Sequence, residues 1–109
     1  MAVAMRRTGD TAILEPEGRL AAEAVDEFRS KWMETVADES VRNVVVNLAR
    51  VATIDSSGIG TMIRLHGSVT KKGGRMRIAA ANQTVRQAFR VTRLDSVLEF
   101  HETEQSALG

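Results

Sequence analysis

The stretch Asn43-Val44-Val45-Val46-Asn47-Leu48 is followed, six residues on, by Asp55-Ser56-Ser57-Gly58-Ile59-Gly60. The first is short, β-branched and almost continuously apolar, which suits a central strand covered on both faces. The second opens on short oxygen-bearing side chains that can cap the unpaired N–H groups of a helix start. Behind it Ile59, Met62, Ile63, His66 and Val69 form a helical stripe that ends near Lys71 and Lys72. Ala49 to Ile54 reads as the connection, with Val51 and Ile54 turned inward. A buried strand feeding a helix is the unit of an α/β domain, and it puts Asp55 to Gly58 at a strand's carboxyl end, where ligands and partners usually dock.

Outward from this unit, Gly73-Gly74 turns the chain, and Met76, Ile78 and Ala80 alternate with Arg75, Arg77 and Ala79 as a strand does. Asn82 caps a helix carrying Val85, Ala88 and Phe89. Val97-Leu98-Glu99-Phe100 forms a last strand, and Thr103 to Leu108 a short final helix. On the amino-terminal side, residues 3–17 hold two strands around the turn Thr8-Gly9-Asp10, and Gly18 breaks the pattern. A helix then runs from Ala21 to Val36, its spacing set by Val25, Phe28, Trp32 and Val36. Strand and helix alternate three times from residue 43 onward, which predicts right-handed crossovers and three parallel strands. The N-terminal pair completes a mixed sheet of about five strands with about four helices, one α/β domain over residues 1–109.

Composition narrows the function classes. The 109 residues are 43% apolar and 27% charged with a net charge of +1, so a strongly basic nucleic-acid binder is excluded. Only Phe28, Phe89, Phe100 and Trp32 are aromatic, too few and too scattered for base stacking. No apolar run approaches the roughly 18 residues of a membrane span, and the lack of cysteine fits a reducing, cytoplasmic setting. His66 and His101 are the only histidines, so a metal cluster or catalytic triad has little to draw on. Phosphate-binding loop, nucleophile elbow and dinucleotide fingerprint are all missing. Neither enzymatic activity, a metal nor a cofactor is expected.

Asp55 to Gly60 keeps two readings at this level. A helix start attracts phosphate through its free N–H groups and its macrodipole. Gly58 and Gly60 would then bare the backbone for a close approach, or else they only let the helix pack tightly on a strand. For Asp55, Ser56 and Ser57 the residues alone favour the plain capping role, which is common at a helix start and usually structural.

The run Val44 to Leu48 with Ile54-Asp55-Ser56-Ser57-Gly58-Ile59-Gly60 resembles the signature of STAS domains, most of all the bacterial anti-sigma factor antagonists. The likeness continues through Lys72-Gly73-Gly74, Asn82, Val85, Phe89, Leu94 and Val97 into Glu104 to Leu108. The resemblance implies that Ser56 is the phosphate acceptor, with Ser57 as second choice. It also implies a docking face of Asp55, Ser56, Ser57, Gly58, Ile59, Gly60, Ala21 and Glu23. The implied partners are an anti-sigma factor that is itself a serine kinase and a serine/threonine phosphatase, without nucleic acid or membrane insertion. A STAS subunit of another assembly, such as a lipid-transport ATPase complex or a non-sigma kinase pathway, and a nucleotide- or ligand-sensing STAS domain are the alternatives. Two positions depart from the family pattern. An acidic residue usual after the second strand's glycine is replaced by Ala21-Ala22 or displaced to Glu23, and Arg93 stands where a glycine is usual.

Overall fold

The computed structural model describes every residue from Met1 to Gly109. A two-residue turn containing Gly9, at φ +60°, folds β1 (Ala2–Thr8) back on β2 (Thr11–Leu20) as an antiparallel hairpin. Next come α1 (Ala24–Ala37), β3 (Asn43–Asn47), β4 (Val51–Ile54), α2 (Ser56–Lys71), β5 (Met76–Ala79) and α3 (Gln83–Val91). A 3-10 turn at Leu94–Ser96, β6 (Glu99–His101) and α4 (Glu104–Leu108) complete the chain. The sheet runs β1-β2-β3-β5-β6, with β3, β5 and β6 parallel to β2 as the alternation of elements predicts.

Strand side chains alternate between the two faces, and alternate residues of the central strands join two separate cores. Ala12, Leu14, Val44, Val46, Met76 and Ile78 meet Phe28 and Trp32 of α1, Met62, Leu65 and Val69 of α2, and Val85 and Phe89 of α3 in one core. On the opposite face Ile13, Val45 and Ala79 meet Ala107 of α4. The three central valines are therefore all buried, as expected of a strand covered on both sides. The short helix α4 is fastened by charge. Arg6 of β1 pairs with Glu104, and Asn47 donates to Glu104 over 3.0 Å. Glu99 accepts from Arg75 (2.6 Å), Arg77 (2.8 Å) and His101 (2.7 Å), while the other ring nitrogen of His101 lies 3.0 Å from Ser106 Oγ.

The structure corrects four expectations. Gly18 does not end its strand: at φ +109°, with a register shift between Gly18 and Arg19, it bends β2, which continues to Leu20. That extension gives Val51–Ile54 a partner, so the presumed connection holds a four-residue strand, β4, parallel to the end of β2. The first helix starts at Ala24 rather than Ala21, because Ala22 is left-handed at φ +52°. The last strand starts at Glu99 rather than Val97, because Val97 and Leu98 donate their N–H groups back to the Leu94 carbonyl at the end of the 3-10 turn.

Arg93, the departure from the family glycine, lies at φ +61° and its side chain makes no hydrogen bond or ion pair in the chain. An L-residue there costs about 1–2 kcal/mol, partly offset by the greater unfolded-state freedom of glycine. Arg93→Gly is therefore expected to stabilise the fold by roughly 0.5–1 kcal/mol. A thermal melt that falls instead of rising by a few degrees would contradict this account of the turn.

Candidate functional site

β2 and β4 end side by side, with Leu20 paired to Ile54. The loop that leaves β2 is thereby set against the start of α2. The N-cap of α2 is Asp55, in extended conformation at φ −111°, ψ −175°. Its Oδ1 accepts from Gly58 N–H at 3.0 Å and from the Ser57 hydroxyl at 2.6 Å. Its Oδ2 accepts from Ala22 N–H at 3.2 Å, and its own N–H donates to the Leu20 carbonyl at 3.3 Å. One carboxylate thus joins the helix start to the loop before α1. The Ser57 hydroxyl, then the N–H groups of Gly58 and Ala22, hold its pKa below the ordinary aspartate value. It is an anion at neutral pH.

Ser56 is the first residue of α2. It is exposed, and its hydroxyl makes no hydrogen bond within the chain. Ser57 is exposed as well, but its hydroxyl is committed to Asp55. Of the two ways to use a helix-start side chain, Asp55 takes the cap and Ser56 is left free for something else.

The two glycines have different reasons to be there. A Cβ on Gly58 would collide with the Leu20 carbonyl oxygen and the Ile54 side chain, so this glycine is a packing requirement. A Cβ on Gly60 would meet nothing within 4 Å, so packing does not account for it. Ile59 is 7% exposed and belongs to the core. The surface formed here consists of Asp55, Ser56, Ser57 and Glu23, all exposed, with Ala21 and Gly60 half-buried at its margins. The Trp32 indole N–H donates to Thr61 Oγ1 over 3.0 Å in the interior and locks α1 to α2 behind it.

Sequence reasoning missed Ala22. Its left-handed backbone turns the chain out of β2 and its N–H fixes the loop to Asp55, and an alanine gives no signal of either. No cluster of three His, Cys, Asp or Glu side chains is placed to hold a metal, and no helix is long and apolar enough to cross a membrane. What the arrangement offers is an unengaged hydroxyl beside a fixed anion, at a helix end whose dipole and first-turn N–H groups favour an added phosphate.

The STAS domain family model matches residues 2–107. A candidate anti-sigma factor antagonist of Thermotoga neapolitana is 25% identical over 99 residues, spanning 91% of this chain and 88% of that protein. Among solved structures, a candidate antagonist of Thermotoga maritima superposes with a TM-score of 0.91 at 21% identity, covering 97% of this chain and 91% of the other. The unphosphorylated form of the anti-sigma factor antagonist SpoIIAA gives a TM-score of 0.83 at 25% identity, with 98% and 93% covered. The phosphorylated form of SpoIIAA from Bacillus gives 0.76 at 24%, with 98% and 96% covered.

Proposed function

Because the chain belongs to the STAS domain family, we propose that it is a cytoplasmic anti-sigma factor antagonist that works by switching partners. Unmodified, it binds an anti-sigma factor that carries serine kinase activity, through the face formed by Asp55, Ser56, Ser57 and Gly60 with Ala21 and Glu23; Gly58 and Ile59, expected on this face from the resemblance, are buried and support it from beneath. Phosphorylation of Ser56 dissolves the complex, and a metal-dependent serine/threonine phosphatase restores it. In the transfer, Ser56 Oγ bonds the terminal phosphorus of ATP, the bridging P–O bond breaks, ADP leaves, and the hydroxyl proton passes to a base on the kinase.

The observation that carries this reading is the free, exposed hydroxyl of Ser56 at the first position of α2. A SpoIIAA structure is known in each of two forms, unphosphorylated and phosphorylated, which supports the same reading. A phosphate adds about −1.5 to −2 charges at neutral pH. Beside Asp55 and Glu23 it turns this face strongly negative, while the start of α2 accommodates it without unfolding. The switch is thus one of repulsion and shape at the partner surface.

With ATP and the serine kinase encoded nearest to it, the chain is expected to gain one phosphate, mapped to Ser56 by peptide mass spectrometry. Ser56→Ala should keep kinase binding, and Ser56→Asp should weaken it at least about tenfold. Equal affinity of the two variants would sink the proposal.

A further inference from the structure

Ser56 and Ser57 are adjacent, both exposed and both in the first turn of α2, so exposure alone does not choose between them. Hydrogen bonding does. The Ser57 hydroxyl donates to Asp55 Oδ1 at 2.6 Å, a charge-assisted distance, and the Ser56 hydroxyl has no partner. Asp55 cannot easily swing away, because Gly58 N–H and Ala22 N–H hold its two oxygens from opposite sides. We infer that Asp55 is the positioning residue that selects Ser56 over Ser57 as phosphate acceptor, by keeping the Ser57 hydroxyl engaged. This selection rests on the partner-switching reading.

The chemistry supports the choice. An accepting hydroxyl must turn its oxygen toward the terminal phosphate of ATP and its proton toward the base of the kinase. Ser56 is free to do both. Ser57 would first have to break a bond to an ionised acceptor, which is enough for roughly a tenfold or greater preference. The carboxylate would also lie directly against the incoming phosphate. A carboxylate that instead drew the proton from Ser57 would activate it. The two effects predict opposite outcomes when Asp55 is removed.

The test compares the wild-type chain with Asp55→Gly and Asp55→Asn, each incubated with ATP and the same kinase and mapped for phosphate on Ser56 and Ser57. Glycine is tolerated as an N-cap but has no oxygen for Ser57, whereas asparagine keeps one oxygen for Ser57 and Gly58. The Ser57 share is expected to rise roughly tenfold or more in Asp55→Gly and to stay low in Asp55→Asn. With Ser56→Ala also present, Asp55→Gly should gain phosphate on Ser57 that Ser56→Ala alone does not take. An unmoved or reduced Ser57 share, with Ser56 still modified, overturns the selection and leaves the switch standing. No phosphate on any variant sinks both. A kinase-free check is the carboxyl titration of Asp55 by NMR, whose pKa should rise in Ser57→Ala; an unchanged value overturns the held hydroxyl on which the selection depends.

Discussion

Gly58→Ala is expected to destabilise the fold by about 2–3 kcal/mol, whereas Gly60→Ala, two residues on, leaves stability unchanged or raises it by up to about 1 kcal/mol. Both positions lie in the first turns of α2 and both exchanges favour helix locally. The difference is what stands in front of the new methyl group. At Gly58 it meets the Leu20 carbonyl oxygen and the Ile54 side chain. Leu20 is fully buried and its carbonyl accepts from Asp55 N–H, so it cannot retreat without cost. The end of α2 must lift from the strands, and the Asp55 contacts to Ala22 and Ser57 go with it. At Gly60 the space is open. Urea denaturation of the two variants measures the contrast, and equal midpoints would refute the packing assigned to Gly58.

Acid is expected to loosen the β5–β6 edge through Glu99. Burial raises the pKa of this carboxyl, but the hydrogen bonds from His101, Arg75 and Arg77 outweigh it and bring the value from 4.5 down to about 2. The folded state thus prefers the anion more strongly than the unfolded chain does. The resulting stability is fully present above about pH 4.5 and is lost as pH falls toward 2. The side chain is 35% exposed, so solvent screening reduces the contribution to roughly 1–2 kcal/mol. Glu99→Gln should cost about that much at pH 7, and the gap between variant and wild type should close as pH is lowered through the same window. A gap that stays constant down to pH 2 would show that Glu99 is not the group responsible. Glu104, held below its ordinary range by Arg6 and then Asn47, shifts in the same direction and fastens α4.

Both predictions rest on contacts between distant parts of the chain, and these mark where sequence reading ran out. Local pattern was enough for most of the frame. Val44 to Val46 announced a two-faced central strand, Asn82 was recognisable as the cap of α3, and Asp55-Ser56-Ser57-Gly58 as the start of α2. Strand β4 was not legible, because four residues carry too little periodicity and its existence depends on β2 passing Gly18. Nor was the unequal work of the two glycines, since only the approach of Leu20 separates them. The site was legible as a segment but not as an arrangement. That Asp55 reaches across to Ala22, 33 residues away, follows from the pairing of Leu20 with Ile54, which no spacing reveals.

The course of β2 has a consequence for motion. Over Thr11–Leu14 it is hydrogen-bonded on both sides, to β1 and to β3, and its far end carries β4 and with it Asp55. Amide hydrogen exchange should be slowest along β2 and β3 and fastest at β6, a three-residue strand at the sheet margin. The Ser56 end of α2 is therefore anchored to the part of the molecule that opens last. A phosphate placed there would change what the surface attracts while resting on the slowest-opening strands of the sheet.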